Sequence, residues 1–510
     1  MQFKAIVMVN MLSSHLLGCF GAVTLAMATN SHRVPSQRTT PRDLNETYPK
    51  YRISPLDGSI IALPSKDQLE FQDKEMGILI HFTIATYISI DGCNGVPGLV
   101  PDPHLFDPTI LNTDQWMNSI IASGAKYATL VAKHNCGFAT WPSAVTFETR
   151  DNVTSPYNYT IADSPINGTD VVKLFSQSAE KYGVGHGFYY STVVNNFLNV
   201  QNSLVDATWS PGEIRITNET YDEIVLAQLT ELWTNYGTLT ELWFDGGYSA
   251  SQMESIQTLL QQHQPQACIF NSCDTNGTCL SPNAIRWIGT ESGLPNEEIW
   301  STGVTNDGGD PTSKYFAPAE CDTTLQTEDR WFWGKGQPLR SLDEMIDVYH
   351  QTVGRNCLLE LDLAPDRSGL IPARHAARYK ELGDFIQSCY DSSIVQQVAN
   401  ITTESGVALA FDYPTSIDRI VIMEDQTNGQ VIRAYEVYAK IVDKEEMNGT
   451  LDVPWSFVSS GSSVGHKRID LFKEAITVTD VIVNATRYVD VPKWRSVTVH
   501  ICGNWTSSTV

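Results

Sequence analysis

Short apolar runs alternate with helical patterns from about residue 70 to residue 390, a span in the range of a TIM-type barrel. Helical patterns such as those at 171–182 and 221–236 separate runs that have the length and composition of buried strands. This alternation predicts a parallel (β/α)8-type TIM-like barrel. A doubly wound open sheet is the alternative, although no Gly-x-Gly-x-x-Gly turn follows the first strand. The predicted strands are 77–82, 127–132, 187–190, 242–245, 268–271, 286–289 and 357–362.

The pattern changes near residue 395, where short strand-like runs follow one another with turns between them. We therefore predict a barrel domain at 61–394 and a C-terminal all-β sandwich domain at 395–510. The sandwich would either bind carbohydrate or support the barrel. Its predicted strands are 407–411, 419–423, 434–439, 475–478 and 496–501.

The N-terminal segment is typical of a secretory signal peptide. Lys4 supplies a positive charge, an apolar stretch follows, and residues 26–28 (AMA) form a small-residue cleavage site. The alternative is a membrane anchor, which the polar interruptions at Asn10 and His15 disfavour. We predict a signal peptide at 1–28, a polar, Pro-rich arm at 29–60, and a secreted, extracellular product.

Glycosylation sequons and cysteines agree with export. Nine cysteines remain after removal of the segment that holds Cys19, so at least one is unpaired in an oxidising compartment. Cys273 and Cys279 flank a Gly-containing loop and are the best candidate pair, whereas Cys136 and Cys357 adjoin apolar runs and are expected to be buried thiols. Ten Asn-x-Thr sequons predict a glycoprotein. They are at Asn45, Asn152, Asn158, Asn167, Asn218, Asn276, Asn400, Asn448, Asn484 and Asn504.

The formal net charge is −24, which excludes nucleic acid and anionic membranes as favourable partners. A neutral partner fits better. The 12 Trp and 20 Tyr suit a glycan, because sugar rings have apolar faces that pack on aromatic side chains.

Two carboxylates follow predicted barrel strands, where barrel enzymes place their chemistry. Asp245 comes directly after an apolar strand and precedes two glycines, and Glu291 has a similar position in RWIGTESG. Such a pair suits a retaining glycosidase, in which one carboxylate attacks the anomeric carbon and the other protonates the leaving oxygen. Glu297 and Glu298 are rival acids. This chemistry requires no metal and no organic cofactor.

Two histidines follow the first two predicted strands. His81 ends the first strand, and His134 lies just past the second. Neutral imidazoles at these places would hydrogen-bond sugar hydroxyls, hold a metal or complete the core, and the sequence leaves these roles open.

Taken together, these segments resemble the glycoside hydrolase family 29 α-L-fucosidases. The resemblance runs in order from about residue 70 to the C-terminus. The matching segments are 77–82 (GILIHF), 133–143 (KHNCGFATWPS), 187–191 (GFYYS), 241–246 (ELWFDG), 286–293 (RWIGTESG), 318–322 (PAECD), 353–357 (VGRNC), 364–370 (APDRSGL) and 464–469 (VGHKRI).

The resemblance implies hydrolysis of terminal α-L-fucosyl residues from a fucosylated glycan by double displacement, on a barrel followed by a β-sandwich. It assigns Asp245 as nucleophile and Glu291 as acid/base, the latter from a Trp-x-Gly-x-Glu pattern. His81, His134 and Tyr189 match fucose-contacting positions.

Four further residues are candidate contacts. Trp331 is the predicted aromatic after PAECD, and Asn135 stands where many family members have histidine. Asn135 retains hydrogen-bonding capacity with a different geometry. Phe82, Trp141 and Trp331 are candidate walls for the C5 methyl of fucose, and only one of Tyr189 and Tyr190 can face the site.

Two other function classes stay open on the sequence. One is a non-catalytic fucose-binding protein on the same scaffold. The other is a different secreted retaining glycosidase, such as an α-galactosidase-like barrel. The presence of both carboxylates favours an enzyme over the first.

Overall fold

The computed structural model describes residues 48–88, 90–93, 95–206, 214–391, 405–442 and 453–502. The predicted signal peptide and residues 29–47 of the predicted arm lie outside the described residues. Within these ranges, no helix combines the length and the apolar character that crossing a membrane requires.

Eight parallel strands close into a barrel, which confirms the predicted fold class. The strand order around the barrel is β10-β11-β12-β13-β14-β3-β4-β7. Seven strands match the predicted ones, whereas Ala319–Thr323 was missed because its sequence, AECDT, is too polar to be recognised as a buried strand. The barrel strands are β3 (Met76–Ile80), β4 (Tyr127–Lys133), β7 (Gly185–Tyr190), β10 (Glu241–Trp243), β11 (Cys268–Phe270), β12 (Ala284–Trp287), β13 (Ala319–Thr323) and β14 (Cys357–Leu363).

Seven α-helices accompany the barrel in the described ranges. The α3 helix has the predicted bounds because Asp170 caps its N-terminus and Gly183 ends it in the left-handed region, with φ of 70°. The described chain between β11 and β13 contains no α-helix. The helices are α1 (Lys66–Gln72), α2 (Thr113–Ser123), α3 (Val171–Tyr182), α4 (Asn218–Asn235), α5 (Ala250–His263), α6 (Leu342–Gln351) and α7 (Ala373–Tyr390).

The C-terminal domain is an antiparallel sheet of five strands in the order β17-β16-β18-β15-β19. The predicted runs 407–411 and 419–423 are parts of one 19-residue strand, in which irregular pairing replaces the expected turn. Inward side chains from both halves of this strand share one apolar core, as the predicted sandwich requires. The strands are β15 (Gly406–Glu424), β16 (Ile432–Ile441), β17 (Trp455–Gly461), β18 (Arg468–Tyr488) and β19 (Trp494–His500).

Polar contacts fix this sheet against the barrel. The backbone N–H of His466 donates to Asn356 Oδ1 at 2.7 Å, and Ser463 Oγ donates to the carbonyl of Ile299 at 2.6 Å. Lys467 forms an ion pair with Glu75. The C-terminal domain is therefore joined to barrel loops before β3, between β12 and β13, and before β14.

The described part of the predicted arm is ordered structure. Two short strands pair antiparallel, and Ile61 enters the core of the C-terminal domain. Arg52 Nε also donates to the carbonyl of Asn428 at 3.0 Å. The hairpin therefore joins the N-terminal part of the described chain to the C-terminal domain. The remaining short strands are β1 (Tyr51–Ile53), β2 (Ile60–Ala62), β5 (Thr146–Glu148), β6 (Thr154–Pro156), β8 (Val200–Gln201) and β9 (Leu204–Val205).

The cysteines pair more completely than the sequence indicated. The Cys273–Cys279 disulfide is confirmed. Cys136 and Cys357, predicted to be buried thiols, are instead disulfide-bonded, because strand and loop packing bring a second cysteine within 5.1 Å and 6.1 Å, Cα to Cα. The unpaired cysteine of the described residues is the buried Cys268. The other disulfides are Cys93–Cys136, Cys321–Cys357 and Cys389–Cys502.

Candidate active site

A cavity with about 410 Å³ of open space lies at the C-terminal end of the barrel. This is the end at which (β/α) barrels place their active sites. Six of the seven predicted site residues line it. The lining residues are Leu79, His81, Asp91, His134, Tyr189, Trp243, Asp245, Glu291, Asp322, Trp331 and Phe332.

Strand alternation decides which aromatic of β7 reaches this cavity. Tyr189 faces the barrel interior and lines the cavity, whereas the next residue, Tyr190, faces the surrounding helices and donates to Gln228 Oε1 at 2.7 Å. The prediction that only one of the two tyrosines faces the site is confirmed.

Asp245 lies just beyond β10 with its carboxylate in the cavity. The hydroxyl of Tyr189 donates to Asp245 Oδ2 at 2.6 Å, which orients the carboxylate and leaves Oδ1 for other partners. The next two residues, Gly246 and Gly247, have φ of 68° and 84°, so the chain turns sharply after the carboxylate. A Cβ at Gly246 would also lie 2.8 Å from Val193, so any larger residue would be strained there.

Replacement of Tyr189 by phenylalanine is expected to lower kcat/KM about 10- to 100-fold, the cost of one hydrogen bond to a charged group. The ring and its stacking against Trp243 (centroids 5.7 Å apart) are retained. Steady-state kinetics on an aryl glycoside measure the effect. Tyr190→Phe is the matched control, because its hydroxyl bonds outside the cavity.

Glu291 lies at the cavity mouth, on the loop after β12, and is exposed. Trp331 Nε1 donates to its Oε2 at 3.0 Å. Partial loss of hydration raises the pKa of Glu291, as does the negative charge of Asp245, while the Trp331 hydrogen bond opposes the rise. A raised pKa suits a group that must carry a proton.

The rival acids lie elsewhere. Glu298 forms ion pairs with Arg355 and Arg468, and neither Glu297 nor Glu298 lines the cavity. Of the three acids proposed from the sequence, the structure therefore brings only Glu291 together with Asp245.

Both histidines reach the cavity as neutral groups. Burial lowers the pKa of His81 well below its usual value and lowers the pKa of His134 to about 4. His81 Nδ1 contacts Asp362 Oδ1 at 2.8 Å, which leaves Nε2 as the nitrogen available to a ligand. His134 stacks on Tyr189 with ring centroids 5.5 Å apart. Neutral imidazoles at these positions can donate to or accept from sugar hydroxyls.

Asp91 positions the aromatic wall of the cavity. Its two carboxylate oxygens accept hydrogen bonds from the backbone N–H groups of Trp331, at 3.1 Å, and Phe332, at 2.8 Å. The Cys93–Cys136 disulfide ties the loop of Asp91 to the loop after β4. Asp91 and Phe332 were not identified from the sequence, since their proximity depends on loop packing across 240 residues.

Asp322 is a buried carboxyl group of the cavity that the sequence analysis also missed. Trp287 Nε1 donates to its Oδ1 at 2.7 Å. Burial raises the pKa of Asp322 to about 7, with contributions from the charges of Glu291 and Asp245. The PAECD segment carried the signal, but β13 was not recognised as a strand, so the inward direction of Asp322 could not be inferred.

Three sequence-predicted contacts lie outside the cavity wall. Asn135 is buried and accepts a hydrogen bond from Ser191 Oγ at 2.7 Å, so it links two loops. Phe82 packs against Phe106 and Trp116 outside the barrel strands, because it has the opposite strand parity to His81. Trp141 donates to Glu231 Oε2 at 2.8 Å on α4. The assignment of Phe82 and Trp141 as cavity walls is therefore wrong.

A layer of three buried carboxyl groups lies beneath the cavity. Glu241, Glu320 and Glu360 have carboxylate oxygens within 4.8 Å of one another, the one grouping in the described ranges that could hold a metal ion. Burial raises the pKa of all three well above the usual value, which favours protonated groups that share hydrogen bonds. Glu320 accepts from Trp243 Nε1 at 2.9 Å and so fixes the cavity floor.

A closed barrel with paired acidic groups at its C-terminal mouth is the arrangement of the barrel-type glycoside hydrolases. Residues 102–389 match the family model described as Alpha-L-fucosidase. The chain belongs to the α-L-fucosidase family.

Individual relatives agree with this assignment. Alpha-L-fucosidase 1 of Arabidopsis thaliana is 30% identical over 367 residues, which cover 68% of this chain and 64% of that protein. A protein of rice, Oryza sativa subsp. japonica, proposed to be an α-L-fucosidase, is 26% identical and is matched over 81% of this chain and 80% of its own length. A crystal structure from Bacteroides thetaiotaomicron of a protein proposed to be an α-L-fucosidase superposes with a TM-score of 0.72 at 28% identity, covering 86% of this chain and 99% of that chain.

Proposed function

We propose that this protein is a retaining exo-glycosidase that hydrolyses terminal α-L-fucosyl residues of oligosaccharides or glycoconjugates. One observation carries the proposal: Asp245, held by Tyr189, shares a cavity with Glu291, whose raised pKa favours its acid form. Membership of the α-L-fucosidase family indicates that the sugar at C1 of the scissile bond is fucose.

The reaction has two displacements at C1 of the fucosyl unit. Asp245 attacks C1 from the face opposite the leaving oxygen, while Glu291 transfers its proton to that oxygen. The resulting glycosyl ester breaks when Glu291, now a carboxylate, removes a proton from a water that attacks C1. Two inversions return the product to the starting anomeric configuration. The Tyr189 hydroxyl holds Asp245 in line before the first attack.

Sugar recognition is assigned to the remaining lining groups. The available nitrogens of His81 and His134 bind hydroxyl groups, and Trp331 with Phe332 supplies an apolar surface for the C5 methyl group. A galactosyl unit carries a hydroxymethyl group there. We expect the pocket to favour fucose by about 1–3 kcal/mol, the usual discrimination for one such group.

Trapping of the covalent intermediate tests the proposal. A 2-deoxy-2-fluoro-fucosyl fluoride should inactivate the enzyme, and the labelled peptide should contain Asp245. Proton NMR of an aryl α-L-fucoside reaction should show the α-anomer of fucose first. A label on another peptide, or the β-anomer as first product, would contradict the mechanism, and a lack of fucoside hydrolysis would contradict the activity itself.

Replacement of Trp331 by phenylalanine is expected to move the alkaline limb of the kcat/KM profile to higher pH. The indole N–H stabilises ionised Glu291 and lowers its pKa, so its loss raises that pKa and keeps the acid form present at higher pH. The measurement is kcat/KM against pH. Phe332→Leu is the control, since it alters the wall without touching Glu291; equal shifts in both variants would exclude the hydrogen bond as the cause.

We also propose that the protein is secreted as a glycoprotein. Four disulfides support an oxidising compartment. Of the ten sequon asparagines, five of the six in the described residues are exposed and the sixth, Asn484, is half-buried. Recovery of the protein from culture medium, N-terminal sequencing after residue 28 and glycopeptide mapping test this. An intact N-terminus without glycans would contradict it.

A further inference from the structure

An aromatic patch lies on the outer face of the C-terminal sheet. It consists of Tyr438 on β16 with Trp455 and Phe457 on β17, and we call it the aromatic patch. Trp455 is 43% exposed and Phe457 is 58% exposed. Tyr438 and Phe457 are direct cross-strand partners whose ring centroids are 5.8 Å apart. Because β17 is an edge strand, exposed aromatics there invite association unless they are covered.

The sequon asparagine Asn484 lies on the same face of the sheet. Its neighbours on β18, Val483 and Ala485, are buried in the domain core, so strand alternation directs Asn484 outward. It pairs with Glu436 of β16, and Ile482, two residues away, pairs with Tyr438. The sequon and the aromatic patch therefore occupy neighbouring strands of one surface.

The distances on this face suit a short chain of sugars. Adjacent strands lie about 4.8 Å apart and alternate residues about 7 Å apart, which places Asn484 about 8 Å from Tyr438 and about 12 Å from Phe457. The first sugars of an N-linked glycan cover such a span. On the other side of β18, Asn484 and Ile482 pair with Gly406 and Ala408 of β15, which have no bulky side chains.

We propose that an N-linked glycan on Asn484 folds over the aromatic patch and covers it. The apolar faces of its first N-acetylglucosamine units would pack on Tyr438 and Phe457. Polar groups flank the rings for the sugar hydroxyls: Glu436 accepts from the Tyr438 hydroxyl at 2.7 Å, and Lys440 Nζ lies 5.2 Å from the centre of the Trp455 ring. This glycan protects the exposed sheet edge and has no part in catalysis.

The proposal rests on secretion, and its test is independent of fucoside hydrolysis. The full-length protein is produced in a glycosylating eukaryotic host, and glycopeptides are mapped by mass spectrometry. Asn484 should carry a glycan. Asn484→Gln should lower the thermal midpoint by about 2–4 °C and increase binding of an apolar dye. The matched control Asn276→Gln, at an exposed sequon in the Cys273–Cys279 loop, should change neither. If Asn484→Gln does not fold, Thr486→Ala removes the same sequon and gives the same comparison.

A second substitution tests whether the glycan acts by packing on the aromatic patch or only by making the protein more soluble. In a Phe457→Ser background, loss of the Asn484 glycan should lower the midpoint by less than it does in the wild type, because one of the two rings on which the sugars pack has been removed. An unmodified Asn484, or equal losses in both backgrounds, overturns the proposal.

A wild-type dimer that Trp455→Ala abolishes would assign the patch to a second copy of the chain. Binding of added polysaccharide by the fully glycosylated protein, lost in Trp455→Ala, would assign it to a free glycan. Either result also overturns the proposal.

Discussion

Replacement of Asp245 by alanine is expected to reduce kcat on an aryl α-L-fucoside by about 10⁴- to 10⁶-fold, the range found when a triad group is removed from a hydrolase. The variant loses the oxygen that forms the covalent bond to C1, and no other carboxylate of the cavity is held in line by Tyr189. Steady-state rates, together with single-turnover measurements, show whether the loss lies in the chemical step.

Rescue of the Asp245→Ala variant by azide tests specifically whether Asp245 is the nucleophile. The space left by the Asp245 carboxylate should admit azide, which would attack C1 of the α-fucoside once and give the β-fucosyl azide. Asp347→Ala is the control, since Asp347 is exposed on α6 and lies outside the cavity. Undiminished hydrolysis by Asp245→Ala, in a protein with an unchanged thermal midpoint, would refute its role as nucleophile.

The sequence predicted those parts of the fold that depend on apolar periodicity. Strands such as β4, with seven buried residues in succession, were recognised because burial on both faces requires a continuous apolar run. The β13 strand is also wholly buried, but Glu320 and Asp322 point into a barrel interior that supplies them with indole donors. A single sequence contains no indication that such donors are present.

The residues of the candidate site divide in the same way, into those that follow recognisable strands and those placed by tertiary contacts. Asp245, Glu291, His81 and His134 follow recognisable strands, so their place at the barrel mouth could be predicted. Asp91 could not, because its position depends on a disulfide and on backbone groups far away along the chain. The error at Phe82 was avoidable. The strand alternation that separated Tyr189 from Tyr190 also separates His81 from Phe82.

Replacement of Glu291 by alanine should slow hydrolysis according to the leaving group. For phenyl α-L-fucoside, whose oxygen needs a proton, kcat/KM should fall about 10²- to 10⁴-fold, the usual contribution of general acid catalysis. For a dinitrophenyl fucoside, which leaves without assistance, kcat/KM should change little. The alkaline limb of the pH profile should disappear as well, because that limb reports the loss of the Glu291 proton. Partial loss of hydration and the charge of Asp245 raise the pKa of this group.

Hydrolysis of the glycosyl ester, the second displacement, gives a more specific test of the role of Glu291. Without Glu291 as base, the ester on Asp245 accumulates, so KM for the dinitrophenyl substrate should fall together with kcat. Azide needs no base, and it should release the ester as the α-fucosyl azide, the anomer opposite to that from Asp245→Ala.

Two glutamates provide matched controls for Glu291. Glu297→Ala should behave as the wild type, since Glu297 is exposed and lies outside the cavity. Glu298→Ala should lower the thermal midpoint through loss of its contacts to Arg355 and Arg468, with no dependence on the leaving group. If either variant instead showed the leaving-group dependence and the α-azide product, the proton would come from the loop nearer the C-terminal domain, and the cavity geometry would have to change before catalysis.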